Sequence, residues 1–237
     1  NALMTQAGNG KTAIIIGAGG GIGAALADAI AARPGWRARR VGRSQAISCD
    51  FERPETIAPA IEQALAGKLV SLVMIASGML HDGDRGPEKA MRELDATWLA
   101  RQFAVNSIGP ALVLAALLPR LPRDRAVHVG VLGARVGSIS DNRLGGWYGY
   151  RASKAALHQL VRTAAIEWAR THPLGVLAAL HPGTVATPLS APFTTRRATG
   201  ELMTPAQSAA ALLAVLEALP PSRSGRIFDW KAAEILP

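Results

Sequence analysis

The chain has 237 residues and a formal net charge of +9, with 49% hydrophobic and 18% charged residues. That length fits one large domain or two small ones with a substantial core, and the composition is globular rather than disordered. The basic balance would favour an anionic ligand or a nucleic acid, but the arginines are scattered apart from Arg33, Arg37, Arg39, Arg40 and Arg43, and 5% aromatics leave nothing for base stacking, which sets nucleic acid aside.

In chain order, residues 11–16 read as a short buried strand, followed by a glycine-rich turn and a helix over 22–30 that stops at Arg33-Pro34-Gly35. A second strand is expected over 36–41, a helix over 54–66 opened by Pro54 and closed by Gly67, and a third strand over 69–75. That strand is apolar on almost every residue, as expected of a sheet covered on both faces. A polar, Gly-rich connection over 77–87 leads to helices over 88–101 and 103–121. A strand over 126–132, a long helix over 148–171 and a strand over 175–180 follow. Residues 182–202 lack periodicity, 205–219 read as a helix capped by Thr204, and 226–230 as a last strand. The alternation runs without linker or repeat. It predicts one α/β domain over 1–237, a Rossmann-type doubly wound parallel sheet with helices on both faces, with 1–10 as a flexible N-terminus. Asn1 and Ala2 are set aside as remnants of expression.

The lone Cys49 excludes an intramolecular disulfide and a cysteine metal cluster. His81, His128, His158, His172 and His181 have no metal-ligand spacing, so no metal is expected. There is no signal-peptide pattern, and the apolar stretches 69–80 and 111–118 are too short to span a bilayer. The expectation is a cytoplasmic protein with no membrane role.

In such sheets ligands bind beyond the carboxyl ends of the strands. The first junction, Gly17-Ala18-Gly19-Gly20-Gly21-Ile22-Gly23, fails the G-x-G-x-x-G pattern but meets G-x-x-x-G-x-G at Gly17, Gly21 and Gly23. Small residues there let a pyrophosphate approach the backbone, and the following helix N-terminus favours its charge. The second junction, Arg40-Val41-Gly42-Arg43-Ser44, lacks the acid that would hold the ribose hydroxyls of NAD. Arg43 could pair with a 2′-phosphate, which favours NADP(H) over NAD(H); Arg40 is the weaker candidate, and Asp50 could accept from an adenine amino group. At the third junction, Ala76 and Gly78 are small residues where a cofactor can pass. Asn106 is a polar amide inside an otherwise apolar helix.

Tyr150 and Lys154 stand at i,i+4 at the start of a helix, one turn apart on one face. An adjacent ammonium favours the phenolate and lowers the phenol pKa, giving a hydroxyl able to exchange a proton. Tyr148 has Ala152 at the matching position, so only Tyr150 fits.

Gly17-x-x-x-Gly21-x-Gly23, Asn106, Tyr150-x-x-x-Lys154 and Pro182-Gly183-Thr184-Val185-Ala186-Thr187, in this order and spacing, resemble the classical short-chain dehydrogenase/reductase family over essentially the whole chain. The run from Arg135 to Trp147 looks like its C-factor-like branch, near the sniffer-type carbonyl reductases. The resemblance implies hydride transfer between nicotinamide and a carbonyl or alcohol carbon of a small-molecule substrate. Tyr150 would be the general acid or base, and Lys154 would depress its pKa and hold the nicotinamide ribose. Asn106 would support a relay water, and Thr187 would hold the carboxamide with Val185 packed nearby. Gly19, Ile22, Pro182 and Gly183 would complete the cofactor site, and 183–203 would be the substrate lid. Arg196 and Arg197 in that lid read as solvent-exposed.

One departure concerns a serine that the family places after the strand ending at Leu132. The aligned positions here are Gly133 and Ala134. Ser138, 12 residues before Tyr150, is the candidate substitute, and Ser140 a poorer one. The missing serine supports an alternative, a catalytically weak dinucleotide-binding protein that acts through partners or signalling. The family's pairing helices and the wide apolar surface of 150–170 lead to an expected homodimer or homotetramer.

Overall fold

Six parallel strands form one sheet in the order β2-β1-β3-β4-β5-β6. They are β1 (Lys11–Ile16), β2 (Trp36–Val41), β3 (Val70–Ile75), β4 (His128–Leu132), β5 (Val176–His181) and β6 (Ile227–Asp229). The computed structural model describes residues 10–194 and 202–237. Side chains alternate across the sheet. Ile14, Ile16, Val73, Val129 and Leu177 face the helices α2 (Ile57–Leu65), α4 (Gly109–Leu117) and α5 (Tyr148–Ala169). Ala13, Ile15, Leu72, Met74 and Leu180 face α1 (Gly21–Ala31) and α7 (Pro205–Ala218). Both faces are thus buried, which is why β1 and β3 read as continuous apolar runs. The expected doubly wound sheet is what the chain adopts.

Strand order reverses between β1 and β3, and the chain leaves both at their carboxyl ends, opening a crevice there. Thr204 caps α7 in a reciprocal capping box with Gln207, as the sequence suggests. The region before Asn106 differs from expectation. The helix anticipated from residue 88 begins only at Ala96, as α3 (Ala96–Phe103), where the Asp95 carboxylate accepts from Trp98 N at 2.8 Å. It does not break before residue 103 either, but runs through a π turn, Ala104–Ile108, into α4. The helical run Ala96–Arg120 has 25 residues and contains an 18-residue window of mean hydropathy 1.5, long and apolar enough to cross a membrane, where the sequence shows only shorter apolar stretches. Half of that apolar window is buried inside the fold. A short helix α6 (Ala191–Thr194) follows β5.

Candidate active site

The glycine turn after β1 is built by steric necessity. Gly17 has φ +82°, and a Cβ on Gly23 would lie 2.1 Å from the Gly17 carbonyl oxygen, so α1 starts directly against the turn. Gly17 N and Ala18 N donate to Val41 O at 2.9 and 3.1 Å, hooking the turn to the end of β2. α1 has no side-chain cap and no acidic residue in its first turn, which leaves its N-terminal N–H groups for an anion. A cavity of about 350 Å³ lies in front of it, lined in part by Gly17, Gly19, Arg43, Asp50, Ala76 and Gly78. Gly21, Ile22 and Gly23 form the first turn of α1 behind it. This donor set suits a pyrophosphate, and the residues present fit the dinucleotide that the glycine spacing implies.

Of the two arginines after β2, Arg40 is paired with Asp28, whereas Arg43 has no ion-pair partner among the described residues. Asp50 lines the cavity, but its carboxylate also serves its own turn, accepting from Glu52 N at 3.1 Å and from Arg53 Nε at 3.4 Å. Across the cleft, Thr187 packs on the turn so closely that a Cβ on Gly21 would meet its Cγ2 at 2.9 Å. Pro182 is tied by Ser208 Oγ to its carbonyl at 2.9 Å, Gly183 has φ +79°, and Val185 is buried. Sequence reasoning missed Arg101 on α3, which ion-pairs with both Glu52 and Asp82 at the rim. Nothing in the sequence links residues so far apart.

At the other end, Tyr150 and Lys154 share one face of α5 and are both buried. Lys154 Nζ donates to Leu132 O at 2.8 Å and stands 5.9 Å from the centroid of the Tyr150 ring. The Tyr150 hydroxyl has no hydrogen-bond partner among the described residues. Burial pushes the phenol up to about 12 and the ammonium down to about 8. The i,i+4 spacing predicts that Lys154 depresses the phenol. Here the ammonium is aimed at a backbone carbonyl, and desolvation dominates both groups.

Asn106 is fully buried on the π turn. Its Oδ1 accepts from Met79 N at 2.8 Å, while its Nδ2 donates to Met79 O at 2.8 Å and to Ser153 Oγ at 3.1 Å. A Cβ on Gly78 would lie 3.7 Å from both Asn106 Oδ1 and Lys154 Nζ, so the two groups flank the same point of the cleft. The extra residue of the π turn interrupts the regular ladder at the place where this amide serves tertiary partners.

Ser138 requires a correction. Its hydroxyl donates to Leu236 O at 2.5 Å and accepts from Asp141 N at 3.2 Å, so it holds the C-terminal segment rather than facing Tyr150. Ser140 is likewise spent on Pro237 O at 2.5 Å. The position beside Tyr150 is Ala134, which packs with it and Leu80 in one apolar cluster. Gly133 is filled from behind, since a Cβ there would lie 2.6 Å from His158 Nε2. His158 also escaped the sequence reading. Burial, then the charges of Lys154 and His181, bring its imidazole down to about 4.

The roof over Tyr150 is aromatic. Trp147 lies edge-on to Tyr150 at 6.2 Å and to Phe193 of α6 at 5.2 Å, and His81 lies edge-on to Phe193 at 5.9 Å. Arg196 and Arg197 lie outside the described residues. Among the described residues, no group of three or more His, Cys, Asp or Glu side chains could hold a metal.

Comparison with known proteins bears on the family and the fold. The family profile described as short chain dehydrogenase matches residues 11–198. The C-signal protein of Myxococcus xanthus is 36% identical over 147 residues, covering 62% of this chain and 82% of that protein. The 1-hydroxy-2-glutathionyl-2-methyl-3-butene dehydrogenase of Rhodococcus sp. (strain AD45) is 36% identical over 133 residues, and the match spans just 56% of each chain. Among solved structures, the NADPH-bound carbonyl reductase from chicken fatty liver superposes with TM-score 0.81 at 20% identity, over 95% of this chain and 98% of that one. The carbonyl reductase Sniffer of D. melanogaster gives TM-score 0.78 at 16% identity, over 97% and 99%. At such identities these structures bear on the fold.

Proposed function

We propose that this chain, which belongs to the short-chain dehydrogenase family, is an NADP(H)-dependent oxidoreductase acting between a carbonyl and an alcohol, with Tyr150 as its general acid and base. The observation that carries this reading is the buried Tyr150–Lys154 pair behind the cleft that begins at the glycine turn: a Cβ on Gly78, which lines that cleft, would lie 3.7 Å from Lys154 Nζ. A phenol at about 12 is protonated at neutral pH, so Tyr150 is ready to donate to the oxygen of a carbonyl undergoing reduction. Lys154 contributes a charge that an anionic ligand nearby would hold in its protonated form. Asn106 holds Met79 and Ser153, with its amide and the ammonium on either side of Gly78, and would support a water that relays protons to Lys154. When bound, the dinucleotide supplies or accepts the hydride.

Gly17, Gly19, Gly21, Ile22 and Gly23 would hold the pyrophosphate, and Ala76 and Gly78 leave room beside it. Asp50 would close the adenine end. Pro182, Gly183, Val185 and Thr187 would hold the nicotinamide end. The preference for NADP(H) rests on Arg43, a guanidinium just after β2 without an ion-pair partner among the described residues, and on the absence of an acid at the end of that strand; the NADPH bound by the chicken reductase is in keeping with it. The substrate side, roofed by Trp147 and Phe193, favours an uncharged apolar carbonyl compound; of the expected lid over 183–203, residues 195–201 lie outside the described residues. The described ends of that lid are joined by a parallel bridge between Val185 and Met203.

A second reading, a dinucleotide-binding protein with little turnover, is favoured by Ala134, which offers no hydroxyl to polarise the reacting oxygen. Titration with NADPH and NADH, followed by turnover over ketones, aldehydes and quinones, separates the two. Tighter binding of NADPH that is lost in Arg43→Ala, together with turnover, is the result expected of the reductase. NADPH binding without turnover over the whole panel favours the second reading. Ile108, Leu112, Leu160 and Ile166, exposed on the outer sides of the α3–α4 helical run and α5, support a homo-oligomer paired through these helices. Light scattering at a mass of 24.7 kDa would contradict it.

A further inference from the structure

α5 carries Tyr150 and Lys154 but has no side-chain cap of its own. Its entry is strained. Gly145, Gly146 and Trp147 all have left-handed backbones, with φ of 65°, 64° and 55°, and for a tryptophan that conformation is unfavourable unless its surroundings enforce it. The group that enforces it comes from far away in sequence. Glu88 O accepts from Trp147 N at 2.5 Å, and Glu88 Oε2 accepts from Gly149 N at 3.1 Å. One residue therefore satisfies N–H groups on both sides of Tyr148, at the cap position and at the second position of the helix.

The Glu88 carboxylate is only 3% exposed and pairs with no lysine or arginine among the described residues. A buried, unpaired carboxylate is costly; the positive end of α5 offsets that cost. Its other oxygen accepts from Gln102 Nε2 at 3.0 Å. Gln102 is fully buried on α3, one turn before Asn106, and its own Oε1 has no partner among the described residues. That amide is thus held with one end unsatisfied while the other serves Glu88. α3 also approaches α5 so closely that a Cβ on Gly149 would meet Gln102 Nε2 at 2.5 Å. The second rivet between the two helices is the Asn106–Ser153 bond at 3.1 Å.

We propose that Glu88 is a positioning residue for Tyr150: through Gln102 on one side and the first turn of α5 on the other, it fixes the helix that carries Tyr150 and Lys154 relative to the one that carries Asn106. The proposal rests on the reading of Tyr150 as the proton donor, but its test is built so that the two can fail separately. Glu88→Ala, Glu88→Gln and the exchange variant combining Glu88→Gln with Gln102→Glu are compared with the parent. The exchange variant keeps a carboxylate, an amide and an acceptor for Gly149 N in the same cluster. Three quantities are read: the NADPH dissociation constant, kcat on the best carbonyl of the panel, and hydrogen-exchange protection of the amides of residues 148–154.

Glu88→Ala is expected to lower kcat by about 10- to 100-fold, the scale of a misplacement of about 1 Å, with NADPH affinity unchanged. Protection should fall at the start of α5, and the exchange variant should recover most of both losses. The proposal is overturned if kcat and protection stay at parental values in Glu88→Ala and Glu88→Gln. It is equally overturned if kcat falls in step with NADPH affinity and the exchange recovers nothing. If the parent turns over no carbonyl, the enzyme reading fails, and protection alone decides on Glu88: lost in Glu88→Ala and recovered in the exchange variant, it upholds the clamp, and unchanged it ends it.

Discussion

Around Gly17, Gly19 and Arg43 the cleft is lined by backbone and by charges that reach water, whereas around Tyr150 and Lys154 the ionisable groups are enclosed. In the first region, charges meet in solvated pairs such as Arg101 with Glu52 and Asp82, where screening keeps each contact weak. In the second, burial sets the protonation states, holding Tyr150 at about 12, Lys154 at about 8 and His158 at about 4. On the proposed function, binding would be spread over many small contributions at one end, and chemistry concentrated in a few desolvated groups at the other. Substitutions should therefore differ in scale between the two ends.

The largest effect belongs to Tyr150→Phe, which is expected to lower kcat by about 10²–10⁴-fold, the range of general acid–base catalysis, while NADPH affinity stays unchanged. A loss confined to binding would dissolve the contrast between the ends. Next comes the pair Ala134→Ser and Gly133→Ser. A hydroxyl at 134 faces the Tyr150 cluster and should raise kcat, by up to the roughly 10²–10³ that one missing oxyanion donor costs. A side chain at 133 collides with His158, whose Nε2 would be 2.6 Å from the new Cβ, and should lower stability in urea unfolding, by about 1–3 kcal/mol. Equal behaviour of the two serines would contradict the placement of Ala134.

Lys154 supplies the pH test. Its pKa is depressed, so the ammonium loses its proton as pH rises through about 8. The kcat/KM for reduction by the free enzyme should be flat below that point and fall about tenfold per pH unit above it. Lys154→Arg keeps its charge throughout, and whatever activity remains should lack this basic limb. The smallest effect is expected from Arg101→Met at the solvated rim, which should change NADPH affinity by less than about fivefold and flatten its dependence on salt. A large loss there would make the rim part of the desolvated machinery.

How far each region was legible in the sequence follows the same division. The glycine turn could be read because its constraint is local: Gly17 needs a left-handed backbone and Gly23 meets the Gly17 carbonyl. The Tyr150–Lys154 spacing is local as well, and the alternating apolar runs predicted the sheet and most of its helices. What escaped was assembled from distant segments. Residue 88 looked like the start of a helix, but it leaves that helix to begin at Ala96 and caps another one 60 residues on. Ser138 had a plausible separation from Tyr150, yet its hydroxyl was claimed by Leu236. His158 gave no signal because its role is to fill the space left by two glycines, Gly133 and Gly137. Depression of the Tyr150 phenol by Lys154 follows from their spacing and from the family resemblance, but neither carries the degree of burial, which acts in the opposite direction.

The measurement that bears most directly on the account is the fate of deuterium placed at both C4 positions of the dihydronicotinamide ring of NADPH, followed by NMR of the alcohol formed from an apolar aryl ketone or aldehyde. The account predicts one deuterium on the carbinol carbon with the parent protein and labelling slowed by about 10²–10⁴-fold in Tyr150→Phe, although both bind NADPH. Bound NADPH with no labelled alcohol from any carbonyl offered, or labelled alcohol formed equally well by Tyr150→Phe, would contradict it.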